Sequence, residues 1–362
     1  MSNNPNNVSR LQTHMQNSNI GVIIVPLGVN FRWLFSKLEI PSERLVVGII
    51  AAEGPPKLLV PSFEVDRIKL LTGVSECVGW EETQDPYDIL RDLIPNEFGN
   101  VIGIEPKMWF SVFKHITNVL PQKEFVNSEN IFNNLRAIKN QEELKYLAKA
   151  SQKSGDAIVD AFNELEVGIS ESDVISILRK KLTWGSDEKG EALVQFGDNT
   201  ALPHHHGGER KLKKDNVVLI DAGGSIKNYW GDITITTVFG KATRRFKEIY
   251  DIVYEANKKG KEAIIQNKIP SEVDTITRAY IEKKGYGKYF THRTGHGIGL
   301  EIHEHPYIVG NNHNPFVPGN SFTIEPGIYI TGEFGVRIED NVIKTTTGIE
   351  TSKIPRYELL EI

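Results

Sequence analysis

The run Val217-Val218-Leu219-Ile220-Asp221, answered by Gly231-Asp232-Ile233-Thr234-Ile235-Thr236, sets one acid inside each of two apolar or β-branched segments. Between them lies Gly224-Ser225-Ile226-Lys227-Asn228, rich in residues that form turns, so the runs predict an antiparallel hairpin. Side chains alternate along a strand, which puts Asp221 on the face of Val217 and Leu219. Asp232 follows the turn almost as far as Asp221 precedes it, so the two carboxylates are expected to meet across the hairpin. A single Asp in a hairpin is ordinarily a turn or edge residue. Two facing acids in apolar strands would be buried without a partner, which is costly.

Outward from this hairpin the chain repeats its organisation. Before it, a helix over Gln141–Leu165 is followed by Gly168-Ile169-Ser170-Glu171-Ser172-Asp173 and a second helix to about Lys181. After it, a helix over Arg244–Gln266 is followed by Ile269-Pro270-Ser271-Glu272 and a helix to Lys284. Both junctions read as helix starts, with Ser near the cap, acids in the first turn and, in the second, Pro where the first helical residue belongs. A second hairpin closes the second half. Glu325 ends the strand Ser321–Ile324, a turn falls near Thr331-Gly332-Glu333-Phe334-Gly335, and Glu339 follows in Val336-Arg337-Ile338-Glu339-Asp340. The pattern is ααββ twice, a duplicated α+β domain.

If a pseudo-twofold relates the halves, four carboxylates converge on one point. Like charges raise one another's pKa, so such a group does not stay ionised unaided. Two divalent cations would balance it. His296, in Gly295-His296-Gly297-Ile298-Gly299, sits where Gly lets the backbone pack closely and is a suitable fifth donor. The candidate ligands are therefore Asp221, Asp232, His296, Glu325 and Glu339. Oxygen donors with one imidazole suit Mn, Co, Fe or Zn better than Cu.

The first ~135 residues read differently. Strands at Gly21–Leu27, Leu45–Ala52, Lys57–Val60 and Val101–Glu105 alternate with helical patterns at Glu64–Leu71, Tyr87–Leu93 and Met108–Leu120, which is an α/β domain. The boundary is placed at 135/136, giving domains 1–135 and 136–362. The length of 362 residues accommodates both cores. A hydrophobic fraction of 39% and a charged fraction of 25% are globular values. The net charge of -5 is modest, so neither nucleic acid nor membrane is an expected partner. Met1–Asn7 lacks the basic and apolar halves of a signal peptide and is expected to be a frayed tail, in a cytoplasmic protein. Cys77, the one cysteine, excludes an internal disulfide. It is expected to be a buried strand thiol without a role.

The strings Leu219-Ile220-Asp221-Ala222-Gly223 with Asp232-Ile233-Thr234, Thr294-Gly295-His296-Gly297-Ile298-Gly299-Leu300 with His303-Glu304, Thr323-Ile324-Glu325-Pro326-Gly327-Ile328-Tyr329, and Gly335-Val336-Arg337-Ile338-Glu339-Asp340 resemble the motifs of the proline-directed metallopeptidases with the pita-bread fold. These are the prolidases (Xaa-Pro dipeptidases) and aminopeptidases P. The resemblance spans essentially the whole chain, including the N-terminal domain. It implies a pita-bread catalytic domain, two divalent cations per subunit (manganese first; cobalt, zinc or iron as alternatives), a small peptide substrate and a homodimer. All five candidate ligands match the family's metal positions, and Glu325 matches its general base.

The resemblance also implies roles around the metals. His204, seventeen residues before Asp221, matches a substrate-contacting histidine with a catalytic part, although His205 and His206 follow directly and leave the register open. His303 matches a second such histidine, and His292 resembles a pocket residue. Arg293 stands where prolidases place an arginine near the substrate's C-terminal carboxylate, which favours a dipeptide. Arg337 is expected to orient Glu339 or Glu325. One departure stands out: the family commonly has Arg after the Asp-x-Thr, and this chain has Ile235. The implied activity is hydrolysis of Xaa-Pro dipeptides. The alternatives are an Xaa-Pro aminopeptidase acting on longer peptides and a non-catalytic peptide-binding protein on the same fold.

Overall fold

The structure, a computed structural model, describes residues 5–35, 43–94, 96–185, 189–356 and 358–362. The chain divides into two compact units, Met1–Arg136 and Ala137–Ile362.

The first unit is built on one mixed sheet of β1 (Val22–Pro26), β2 (Val47–Ala51), β3 (Lys57–Pro61), β4 (Glu76–Trp80), β5 (Val101–Ile104) and β6 (Glu124–Asn127), in the order β4-β3-β2-β1-β5-β6. The antiparallel β2 and β3 are joined through Gly54, whose φ of 85° a side chain would resist. Helices α1 (Pro5–Asn17), α2 (Val29–Phe35), α3 (Val65–Thr72), α4 (Pro86–Asp92), α5 (Phe110–Val119) and α6 (Glu129–Ala137) alternate with the strands. Of the frayed tail expected over Met1–Asn7, residues 1–4 lie outside the described residues, and Pro5–Asn7 instead open α1. Asn7 holds them there by donating its side-chain amide to the Trp33 carbonyl at 2.9 Å. Cys77 is half-buried rather than buried, because the short β4 presents a mostly half-exposed run.

The second unit opens with α7 (Gln141–Phe162) and α8 (Glu171–Leu182). Each begins at a capping box: Asn140 with Glu143, and Ser170 with Asp173. They cover a sheet of β7 (Gly190–Phe196), β8 (Asn216–Ile226) and β10 (Ile233–Phe239), with β9 (Tyr229–Trp230) paired to the end of β8. The hairpin turn is tighter than the sequence suggested. β8 continues through Ile226, and only Lys227 and Asn228 turn, both in the left-handed region at φ 52° and 67°, as the twist of a two-residue hairpin demands.

The second half follows with α9 (Arg244–Ile265) and α10 (Pro270–Lys283). Their strands are β11 (Gly295–Gly297), β12 (Glu304–Ile308), β13 (Ser321–Ile324), β14 (Gly327–Ile330), β15 (Phe334–Arg337), β16 (Asp340–Lys344) and β17 (Ile349–Thr351). They form a sheet of order β12-β11-β13-β16-β17 and a separate ribbon β14-β15. Gly332, at φ 79°, makes the ribbon's turn.

Two cores separate the faces of β8 and β10. Val218, Ile220, Ala222, Ile233 and Ile235 pack with α7 and α8 residues such as Ile158, Leu178 and Leu182. Val217 and Val238, on the opposite faces, pack with Phe246, Ile249 and Val336 of the second half. Each such Val, Leu, Ile or Phe side chain contributes about 1.5–3 kcal/mol on burial. The odd residues of β8 and the even residues of β10 are therefore committed to the interface between the halves. Asp221 and Thr234 lie on those faces.

Candidate metal centre

The strands that carry the acids are interrupted where the acids stand. Asp232 lies between β9 and β10. Glu325 separates β13 from β14, and Glu339 separates β15 from β16. Ile324 pairs with Asp340 and Gly327 with Arg337, so Glu325 and Glu339 lie directly opposite in the same register. In the first hairpin Asp221 pairs with Thr234 and Ala222 with Ile233. Asp232 is thus diagonal to Asp221, on the same face.

Asp232, His296 and Glu339 each offer a ligand atom, and those three atoms lie within 4.8 Å of one another. His296 Nε2 is 3.8 Å from Asp232 Oδ2, 3.4 Å from Glu325 Oε1 and 4.0 Å from Glu339 Oε1. Its Nδ1 faces the Gly297 carbonyl at 3.0 Å. A carbonyl only accepts, so Nδ1 carries the proton and the Nε2 lone pair points at the acids. Burial, with His303 adding, lowers the His296 pKa to about 3, so the ring is a neutral donor. Close approach makes this arrangement: a Cβ at Gly295 would land on the Thr323 carbonyl, and one at Gly297 on the backbone of Glu304 and His305.

The acids repel one another. Burial, then Glu339, Asp221 and Glu325, raise the Asp232 carboxyl well above its ordinary range. Burial, then Glu325 and Asp221, do the same to Glu339. Burial and Asp221 raise Glu325 to about 7 against Arg337 and Arg293. Without a cation this repulsion is relieved by protonation, whereas divalent cations would neutralise the carboxylates and leave their oxygens free as donors. Several carboxylates and one neutral imidazole, buried and convergent, fit divalent cations of the harder and borderline kind.

Asp221 is less committed to the tight trio, because its Oδ2 accepts from Arg337 Nη2 at 2.6 Å. The sequence pointed Arg337 at Glu339 or Glu325. Instead its guanidinium binds Asp221, donates from Nη1 to Tyr329 OH at 3.0 Å and from Nε to Thr234 Oγ1 at 3.0 Å. It reaches Glu339 only through Thr234, whose hydroxyl donates to Glu339 Oε2 at 2.7 Å. The reason is register, since Thr234 and not an acid stands opposite Asp221. Tyr329 in turn bonds His292 Nε2 at 2.8 Å, and His292 Nδ1 bonds the Arg293 carbonyl at 2.8 Å. Both ring nitrogens of His292 are thereby taken, so it builds the wall. Burial and Arg337 lower its pKa to about 4.

At the rim, the His296 and His303 rings meet edge to face at 4.2 Å. His204 is exposed, and its charge contributes to the lowered pKa of both His292 and His303, after burial and neighbouring arginines. His205 does something else: its Nε2 lies 3.2 Å from Glu171 and 3.1 Å from Asn199. Arg293 stacks 4.4 Å above Tyr307 and lowers Glu325, so its charge faces the acids. Ile235 is fully buried in the first core, where a charged side chain would be costly. Thr234, Tyr329 and Asn341 carried no role in the sequence reading. The first two stood inside quoted motifs. Asn341, whose Oδ1 accepts from the Asp232 amide at 2.8 Å, gave no signal.

Residues 145–346 match Metallopeptidase family M24, and residues 7–138 match the Creatinase/Prolidase N-terminal domain. An uncharacterized peptidase of Staphylococcus saprophyticus is 33% identical, over 93% of this chain and 95% of its own. The prolidase of Thermococcus sibiricus superimposes with a TM-score of 0.89 at 30% identity, covering 98% of each chain. The Xaa-Pro dipeptidase of Bacillus anthracis does so with 0.88 at 30%, covering 99% of each. Fold and donor set together define a metal-dependent peptidase on the pita-bread fold, with a creatinase/prolidase-type N-terminal domain. The chain belongs to metallopeptidase family M24.

Proposed function

We propose that this peptidase is a dipeptidase that hydrolyses Xaa-Pro, using two divalent cations held by Asp221, Asp232, His296, Glu325 and Glu339. The observation that carries the reading is the buried convergence of Asp232, His296 and Glu339, with Glu325 3.4 Å from the same imidazole nitrogen. When bound, the cations supply Lewis acidity and make water acidic enough to deprotonate near neutral pH, from 15.7 towards about 7.

The chain's own residues do the rest. Proline has no N–H and a fixed φ, so an Xaa-Pro bond needs a shaped pocket, and the rim of His204, His292 and His303 provides one. Glu325 takes a proton from the attacking water and hands it to the departing proline nitrogen. His204 and His303 donate to the oxygen of the tetrahedral adduct. Arg293 pairs with the substrate's C-terminal carboxylate, which lies one residue beyond the scissile bond only in a dipeptide. Manganese is the first choice of metal, and a homodimer in the cytoplasm is the expected form.

A panel of Xaa-Pro, Xaa-Pro-Xaa and Met-initiated peptides, assayed with and without added Mn2+, Co2+ or Zn2+, tests the reading. Metal-dependent cleavage of Xaa-Pro is expected. Loss of a charge-assisted bond of about 1.5–3 kcal/mol in Arg293→Met should raise KM for Xaa-Pro about 10- to 150-fold and leave a C-terminally amidated substrate unaffected. Cleavage of the tripeptide alone would sink the dipeptidase reading.

A further inference from the structure

β10 is the edge strand of its sheet, and the end of the chain covers that edge. Val238 donates to the Leu360 carbonyl at 3.1 Å, Ile362 donates back to Val238 at 3.0 Å, and Gly240 donates to the Ile362 carbonyl at 2.8 Å. The Tyr250 hydroxyl pins the strap at the Arg356 carbonyl, 3.0 Å away.

From this strap Arg356 turns inward and is 6% exposed. Its Nη1 donates to the Thr234 carbonyl at 2.8 Å. Its Nη2 donates to the Glu339 carbonyl and, at 2.7 Å, to Asp340 Oδ1. The other Asp340 oxygen accepts from Lys261 Nζ at 2.7 Å. Thr234 and Glu339 form an isolated bridge between β10 and the gap separating β15 from β16. The direct bond across it, from the Glu339 amide to the Thr234 carbonyl, is long at 3.3 Å. The backbone that presents Glu339 thus lies in the gap between two ladders, and Arg356 clamps both carbonyls of the bridge. A simple ion pair with Asp340 would not need them: two of the three acceptors are backbone atoms beside the acid cluster.

We infer that Arg356 is a positioning residue of the metal centre, so that the C-terminal strap sets where Glu339 presents its carboxylate. The inference rests on the reading of Glu339 as a ligand. Ligand atoms must fall within a few tenths of an ångström of their ideal places, and groups that hold them act on metal affinity.

Metal-free full-length protein is titrated calorimetrically with Mn2+, and the melting temperature of each variant is recorded. Arg356→Met is expected to weaken Mn2+ binding about 10- to 100-fold, with Arg356→Lys in between, because an ammonium lacks the fork that spans two carbonyls. Ile354→Ala is the control. It loses the contact of the same strap with α7 at Gly155 and should lower the melting temperature while keeping the wild-type constant. Unchanged Mn2+ binding in both Arg356 variants overturns the inference, as does equal weakening in Ile354→Ala. If Arg356→Met does not fold, Arg356→Lys decides: weakened binding supports the inference and wild-type binding overturns it. A wild-type chain that binds no Mn2+ overturns the ligand assignment itself, and the inference with it.

Discussion

Thr234 shows how a small side chain governs a charged site. Its hydroxyl accepts from Arg337 and donates to Glu339, so one oxygen coordinates the base and the acid. Thr234→Val keeps the shape and removes both bonds. Isothermal titration should show Mn2+ bound about tenfold more weakly, with little change in fold by circular dichroism. The three adjacent histidines separate in the same way. His204→Ala should cut kcat/KM for Xaa-Pro by about 100-fold if it donates to the developing oxyanion, with the melting temperature unchanged. His205→Ala removes a partner of Glu171, a fully buried carboxylate that also accepts from the Phe196 amide at 2.7 Å. That variant should lose about 1–2 kcal/mol in denaturant unfolding. At this scale the sequence revealed residue types and spacing but not partners. Arg337 was legible as a helper of the acids, yet its choice of Asp221 follows from a register that spacing alone leaves off by two.

Helix starts were legible where their chemistry is local: Ser170 and Pro270 stand where α8 and α10 begin. Both hairpins were legible from mirror-placed acids and turn residues. The extra strand β9, the tight Lys227-Asn228 turn and the breaks at Glu325 and Glu339 were not, since they answer to packing between the halves. The C-terminal strap was equally hidden, because a short polar stretch carries no periodicity. Close approach does leave a trace in glycine. A methyl group at Gly295 would collide with the Thr323 carbonyl, and backbone cannot yield as a side chain can. Gly295→Ala should therefore destabilise the protein by about 1–3 kcal/mol or more, read as a lower urea midpoint, and should also lower Mn2+ affinity because His296 is the next residue.

For the second unit as a whole, cations and folding are one equilibrium. The donors repel one another when bare and attract a shared ligand when loaded, so bound metal favours the native state only. At a free-ion concentration 1,000 times the dissociation constant, this linkage is worth about 4.1 kcal/mol. Dialysis against a chelator should lower the melting temperature, and Mn2+ should restore it in a concentration-dependent way. An unchanged melting curve would contradict the donor set. The Thr234–Glu339 contact joins residues 105 positions apart in the chain. During synthesis the first hairpin therefore leaves the ribosome long before the second supplies its acids. A growing chain presents only half a chelator, and peptide-cleaving power is withheld until the later hairpin has been made.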